Sequence, residues 1–225
     1  MREIVVTRLR KDRRLVLSAC AAAAIVGFLQ PHAIATGGDP FARDLLTRNV
    51  WIAGPIFFGT WLGVVVALAQ RGTGRLRELE LCEQAAPLYG RELARATALV
   101  PCIVVTLASL LYWFVQFVTG LAAPPAFFVL SLATVLASTL VALSATLRRG
   151  AERFLYVASA FGVATISYLL AVYGDTLGPH PPQNAGHYYD IVGVVSVLVF
   201  CAFIGFAALR QYGEALARYD PVPDA

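Results

Sequence analysis

The sequence predicts an all-α, polytopic membrane bundle of six transmembrane helices with both termini cytoplasmic, and three observations carry that expectation. Hydrophobic residues make up 58% of the 225 and charged residues only 14%, with a mean hydropathy of +0.68, a balance outside the range of water-soluble domains. The apolar residues gather in six blocks, each near the roughly 20 helical residues needed to cross a hydrocarbon core of about 30 Å. Lys and Arg collect on alternate connections between those blocks, the pattern left when positive charge stays on the cytoplasmic side.

The chain opens with Ile4, Val5 and Leu9 interleaved with Arg8, Arg10 and Lys11, which predicts an interfacial helix within residues 1–14 lying on the inner leaflet. The first block runs from Leu15 to Ala35. Its basic start and the small residues near Ala33 to Ala35 resemble a signal peptide, but five further blocks favour an uncleaved span. The others run from Val50 to Gln70, Ala96 to Ala123, Pro124 to Leu147, Phe154 to Gly174 and Ile191 to Leu209, and none of the six contains Asp, Glu, Lys or Arg. They are apolar on every face, whereas a barrel strand alternates over about ten residues, so helices are expected.

Orientation follows from the connections. Arg2, Arg8, Arg10, Lys11, Arg13 and Arg14 precede the first block; Arg71, Arg75, Arg77, Arg91 and Arg95 separate the second from the third; Arg148, Arg149 and Arg153 separate the fourth from the fifth; Arg210 and Arg218 follow the sixth. Of the 18 Lys and Arg, only Arg43 and Arg48 fall on the other side, beside Asp39, Asp44, Asp175 and Asp190. Both termini, including a tail over residues 210–225, are therefore expected inside. This bias accounts for the pI near 9.0, and nucleic acid is not an expected partner.

Uncharged spans argue against a proton-driven transporter, which needs an ionisable group at membrane depth. Sodium coupling through carbonyls and hydroxyls would call for inverted repeats with broken helices, and no convincing repeat is present. The only histidines, His32, His180 and His187, lie outside the blocks or at an edge, misplaced for an intramembrane hydrolase or for haem held between facing helices. Cys20, Cys102 and Cys201 lie within blocks and Cys82 in a cytoplasmic connection, without metal-ligand spacing. No catalytic residue, metal or cofactor is expected in this chain. Gly59 and Gly63, like Ala19 and Ala23, are four apart and read first as bundle packing, second as a dimer face. Tyr112, Trp113, Phe114 and Phe117 read mostly as an interfacial belt, while Gln116 among them is placed to meet a polar partner. Trp61, Tyr112 and Gln116 are the candidate pathway residues.

The connection from Arg71 to Arg95 is long and charged, with Glu78, Glu80, Glu83 and Glu92 among five Arg. After Gly72, Thr73 and Gly74, residues Arg75 to Ala86 are helix-tolerant, with Leu76, Leu79 and Cys82 or Glu83 at helical spacing and Pro87 as the stop. A second helical piece begins near Leu88 and runs through Arg91 and Arg95 into the third span. Taken alone, this segment is a solvated linker. Taken with the six spans, the interfacial start and both ends inside, the chain resembles the permease subunit of type 2 ATP-binding-cassette exporters.

In sequence that resemblance rests on one segment: Glu78, Leu79, Glu80 and Leu81 match the family's Glu and Leu-rich coupling helix, Pro87 its Pro, and Arg91 with Glu92 the following charged turn. Arg95, preceded by Ala94, stands nearest the family's Gly-Lys. The loop Asp175 to Asp190 departs from the pattern, being too polar and short for the re-entrant hairpin many members carry. The resemblance implies that Arg75, Arg77, Glu78, Leu79, Glu80, Glu83, Pro87 and Arg91 couple the chain to a separate cytoplasmic ATPase that binds ATP and Mg. It further implies a second permease copy or homologous partner, membrane lipid around the bundle, and the bacterial cytoplasmic (inner) membrane. No Gly-rich phosphate loop ending in Lys and Ser or Thr occurs in these residues, so the chain itself is expected not to be an enzyme. The small size is similar to the haem-exporter permease of cytochrome c maturation, and a non-transport scaffold or assembly factor is the remaining alternative. Reporters fused at Met1 and at Ala225 are expected to report the cytoplasm in intact cells; extracytoplasmic exposure of either would overturn the orientation.

Overall fold

The computed structural model describes residues 2–35, 40–70, 90–120, 125–148, 150–173 and 191–217. Among them the chain is entirely helical: α1 (Arg2–Lys11), α2 (Arg13–Ala35), α3 (Pro40–Ala69), α4 (Gly90–Val118), α5 (Pro125–Ala145), α6 (Gly150–Tyr173) and α7 (Ile191–Ala217). Six of these, α2 to α7, are long and apolar enough to cross a membrane, and they coincide with the six sequence blocks. Several run past the blocks: α3 starts at Pro40, α4 at Gly90, and α7 continues to Ala217 beyond Arg210. Hydropathy marks only the hydrocarbon-bound part of a helix, whereas backbone hydrogen bonding continues into water wherever propensity allows.

Local signals set the ends. At the close of α4 the amides of Thr119 and Gly120 reach the carbonyls of Val115 and Phe117 at 2.9 and 3.2 Å, and Gly120 takes φ +87°, a left-handed cap that a Cβ would resist. The end of α5 tightens into i to i−3 bonds from Thr146, Leu147 and Arg148 at 3.1 to 3.4 Å, after which Gly150 at φ +59° turns the chain into α6. Pro55 and Pro101 lie inside α3 and α4. Each removes one ladder donor and leaves the carbonyls of Trp51 and Thr97 without their usual partner.

The central element is α5, which packs against α3, α4, α6 and α7. Its contact with α3 explains the paired glycines. A Cβ at Gly59 would overlap Val135, and one at Gly63 would overlap Thr139. Two residues four apart on α3 thus seat two residues four apart on α5, with both helices running in the same direction. The small-residue spacing serves packing within the chain, the first of the two readings given to it. Ala19, Ala23 and Gly27 form a second such row on α2. The two alanines are buried in a cluster with Val104, Val105 and Ala108 of α4, and a Cβ at Gly27 would stand 3.0 Å from the Tyr112 carbonyl oxygen. In a hydrocarbon solvent these close approaches supply the dispersion contact that hydrophobic burial supplies in water.

Hydroxyl groups inside the bundle are mostly satisfied by their own helix. Thr106, Thr134 and Thr139 donate to the carbonyls of Cys102, Leu130 and Val135 at 2.7 to 2.9 Å, a bond that costs a helix little and leaves nothing exposed to lipid. Others join helices. Thr97 of α4 meets the Tyr212 hydroxyl of α7 at 3.1 Å, and Ser144 of α5 donates to the Ala208 carbonyl of α7 at 3.5 Å. These contacts bring the start of α4 and the ends of α5 and α7 together, so Arg95, Arg148 and Arg210 belong to one end of the bundle. Arg8 on α1 is 1% exposed, its helix packing against α4 and α2.

Gly63→Ala is expected to destabilise the purified protein by about 1 to 3 kcal/mol, because the added methyl overpacks the α3–α5 contact. Gly162→Ala meets nothing within 4 Å and should be neutral or stabilising by up to about 1 kcal/mol, since Ala forms helix better than Gly. Thermal unfolding in detergent compares the two; equal melting temperatures would show that the glycine seam is not a close contact.

Candidate functional site

Three uncharged polar side chains meet at the end of the bundle opposite Arg95, Arg148 and Arg210. Tyr112 and Gln116 are one turn apart on α4 and therefore share a face, and Gln30 comes from the last turns of α2. Tyr112 donates its hydroxyl hydrogen to Gln30 Oε1. The Gln116 amide nitrogen donates to that same oxygen at 2.9 Å and to the Tyr112 hydroxyl oxygen at 2.8 Å. All three pairwise contacts are made, which two helices in lipid accomplish only when polar residues are placed in register. One acceptor is left over: Gln116 Oε1 is buried without a hydrogen-bond partner, in a residue with no exposed surface.

The third helix participates by having no side chain. A Cβ at Gly54 of α3 would come within 2.8 Å of Gln30 Nε2 and 3.3 Å of the Tyr112 hydroxyl, so glycine there gives the set its room. One turn further along, Phe58 stacks on Tyr112 with ring centres 6.2 Å apart and on Trp61 at 6.1 Å. Trp113 stands edge-on to Tyr112 at 5.9 Å and to Phe128 of α5 at 6.2 Å. Beneath the polar set a narrow crevice, walled by α2, α3, α4 and α5, contains Ala23, Pro55, Phe58, Ala108, Tyr112 and Ser131 among its lining residues. Its free space of about 10 Å³ is at the threshold for one water molecule and far below that of a small-molecule pocket.

The structure brings the three sequence-derived pathway residues into one contiguous arrangement: Gln116 bonds to Tyr112, and Tyr112 reaches Trp61 through Phe58. It also divides the proposed aromatic belt. Phe114 and Phe117 are 63% and 69% exposed and face outward, whereas Tyr112 is buried at 2% and faces inward. Trp61, at the middle of its span, is 50% exposed. Gln30 and Gly54 were not among the candidates. Gln30 carries a readable signal, a carboxamide inside an apolar block; Gly54 carries none without knowledge of which helix it faces.

Of the coupling residues, Arg75, Arg77, Glu78, Leu79, Glu80, Glu83 and Pro87 lie outside the described residues, as do His180, His187 and Cys82. Arg91 belongs to the first turn of α4. Elsewhere, Cys201 Sγ lies 3.5 Å from Ser167 Oγ and 3.7 Å from Thr134 Oγ1, and His32 lies against Phe28 with ring centres 5.5 Å apart. Among the described residues no three His, Cys, Asp or Glu side chains come together as a metal site.

Six helices long and apolar enough to cross a membrane, with hydroxyl and amide groups paired largely inside the bundle, define a multi-pass helical membrane protein. In comparisons with known proteins, no family model, curated protein or solved structure matches the chain.

Replacing Gln30 by Leu should lower stability by about 1 to 3 kcal/mol, because Tyr112 and Gln116 lose a shared acceptor while remaining buried. Adding Tyr112→Phe and Gln116→Leu should recover part of that loss, since removing every partner leaves no group orphaned. Thermal unfolding of the single and triple variants measures this; a triple variant weaker than Gln30→Leu by the sum of the separate losses would show that the three side chains act independently.

Proposed function

We propose that this chain is the membrane-spanning permease subunit of an ATP-driven exporter, working as a dimer or with a homologous partner and receiving its energy from a separate cytoplasmic ATPase. The observation that carries the reading is the separation of two kinds of polarity. Most of the Lys and Arg fall on one side of the spans, the Arg71 to Arg95 connection among them, while the spans hold only uncharged hydrogen-bonding groups. A bundle without an ionisable relay cannot take energy from a proton gradient through its own side chains. The charged segment supplies a surface for a soluble partner, on the cytoplasmic side by the distribution of Lys and Arg.

In this reading residues Arg75 to Pro87 sit in a cleft of the ATPase. Glu78, Glu80 and Glu83 offer carboxylates to basic residues there, and Leu76 and Leu79 offer apolar contact. Closure of the ATPase on ATP and Mg then rocks the two permease copies between inward and outward states. Tyr112, Gln116 and Trp61, with Gln30, belong to the substrate pathway. The bacterial inner membrane is its setting.

Exposed ion pairs contribute at most about 1 kcal/mol each, so a single charge reversal should be tolerated. A desolvated contact at an interface centre is worth about 2 to 5 kcal/mol. The combined change Glu78→Lys, Leu79→Asp and Glu80→Lys is therefore expected to abolish co-purification of the ATPase and permease-stimulated ATP hydrolysis while leaving the spans inserted. Wild-type levels of both in a correctly inserted triple variant would reduce the segment to a linker and remove the main support for an exporter.

A further inference from the structure

We propose that the Gln30–Tyr112–Gln116 set and the crevice beneath it form a latched binding site for an uncharged amphipath bearing a hydroxyl group, entering sideways from the bilayer as α2 moves off α4. As a substrate class this rests on the export reading; as a binding site it does not.

The hydrogen-bond inventory points to the ligand. Gln30 Oε1 already accepts two bonds, the Gln116 amide nitrogen has spent both hydrogens, and the Tyr112 hydroxyl both donates and accepts. The unmet need is a donor for Gln116 Oε1. A hydroxyl supplies that donor, accepts in turn from the Tyr112 hydroxyl or the Gln116 amide once the movement of α2 withdraws Gln30 Oε1, and brings no net charge. A carboxylate or phosphate would set negative charge against an unpaired carbonyl oxygen, and an ammonium would be buried among spans that contain no acidic residue; both costs are prohibitive at membrane depth.

Packing points to the entry route. Only 17% of the apolar window of α2 is buried, the least of the six spans. Leu17, Ile25, Phe28 and Leu29 are exposed along it, so α2 borders the lipid. It is held mainly by α4, through the row Ala19, Ala23 and Gly27 and through Gln30 at the end of that row. The crevice behind it is now the size of one water. Occupancy by an alkyl chain therefore requires α2 to move, and the polar set is what resists that movement. Once it moves, Phe58 and Ala108 present an apolar wall to the chain while Gln116, one turn beyond Tyr112, meets the hydroxyl.

The test uses the intact chain in lipid nanodiscs with two photoactivatable probes: a long-chain primary alcohol carrying a diazirine in its alkyl chain, and the methyl ether of the same molecule, which cannot donate a hydrogen bond. Labelling at α2 and at the Phe58 and Ala108 segments is mapped by mass spectrometry, with the lipid-facing Phe203 and Phe206 of α7 as the reference surface. The alcohol should exceed the ether about threefold to tenfold at the crevice, the worth of one hydrogen bond, and equal it on α7. Gln116→Met should bring the crevice ratio to one. Gln30→Met, which releases the latch and leaves Gln116 in place, should raise labelling by the alcohol. Equal labelling by the two probes in the wild-type protein would overturn the proposal without recourse to any variant. Preferential labelling by the matching carboxylate probe, or an unchanged ratio in a folded Gln116→Met, would do the same. Probe selectivity, together with wild-type ATPase co-purification in the Glu78→Lys, Leu79→Asp, Glu80→Lys variant, would refute the export reading alone; equal labelling, together with loss of co-purification in that variant, would refute the site alone.

Discussion

Hydrocarbon offers no hydrogen bonds, so an amide or hydroxyl at membrane depth is stabilised by a partner within the protein, and among the described residues of the spans the buried Thr60 Oγ1, Ser138 Oγ and Gln116 Oε1 are left without one. Helices answer this for the backbone, and Thr106, Thr134 and Thr139 answer it for themselves by bonding one turn back. Side chains too long for that solution have to be matched across helices. That is why Gln30 and Gln116, both carboxamides, converge on one tyrosine, and why Tyr212 of α7 reaches across to Thr97 of α4, whose own hydroxyl also bonds back to the Leu93 carbonyl at 2.9 Å. The same constraint fixes how closely the helices approach. A hydrogen bond between helices needs backbones near one another, and the rows of Ala and Gly on α2 and α3 provide that proximity.

The number and order of the helices are legible in the sequence because hydrophobic length is a one-dimensional signal: each span announces itself by the absence of charge over about 20 residues. Their neighbours are not legible in that way. Gly59 and Gly63 read equally as a contact within the chain or between chains, since the spacing says only that something approaches closely. The partner, Val135 and Thr139 of α5, becomes visible only when α3 and α5 are set side by side. The prominence of α5 is likewise hidden. Its block is only slightly more apolar than those of α4 and α7, and it is its burial, the greatest of the six spans, that marks it as the centre.

The polar set was half legible for a related reason. Gln116 and Tyr112 are four apart, so helical geometry alone places them together, and a carboxamide among aromatic rings inside an apolar block signals a buried partner. Gln30 gives the same compositional signal, but its block ends at Ala35, three residues after His32, where a polar side chain reads as the approach to water. Gly54 is the opposite case. Its contribution is the absence of a side chain at a position where a methyl would displace the Gln30 amide, and no local pattern distinguishes such a glycine from one that merely packs.

The two ends of the molecule are joined most directly by α4. It begins at Gly90, next to the charged connection, and carries Tyr112 and Gln116 near its other end. The 25 steps from Arg91 to Gln116 span about 38 Å at 1.5 Å each. Pro101 interrupts its hydrogen-bond ladder, and one turn before it Thr97 is tied to Tyr212 at 3.1 Å. A helix that is clamped at one end, weakened just beyond the clamp and latched to a loosely held neighbour at the other has its bending concentrated at a defined point. In the exporter reading, a push on Arg91 from an ATPase would pivot the upper part of α4 about Pro101 and act on the bonds to Gln30, the place where α2 is held. On that reading the spans would need no charge of their own, because the work would arrive through the helix and end in breaking hydrogen bonds between neutral groups.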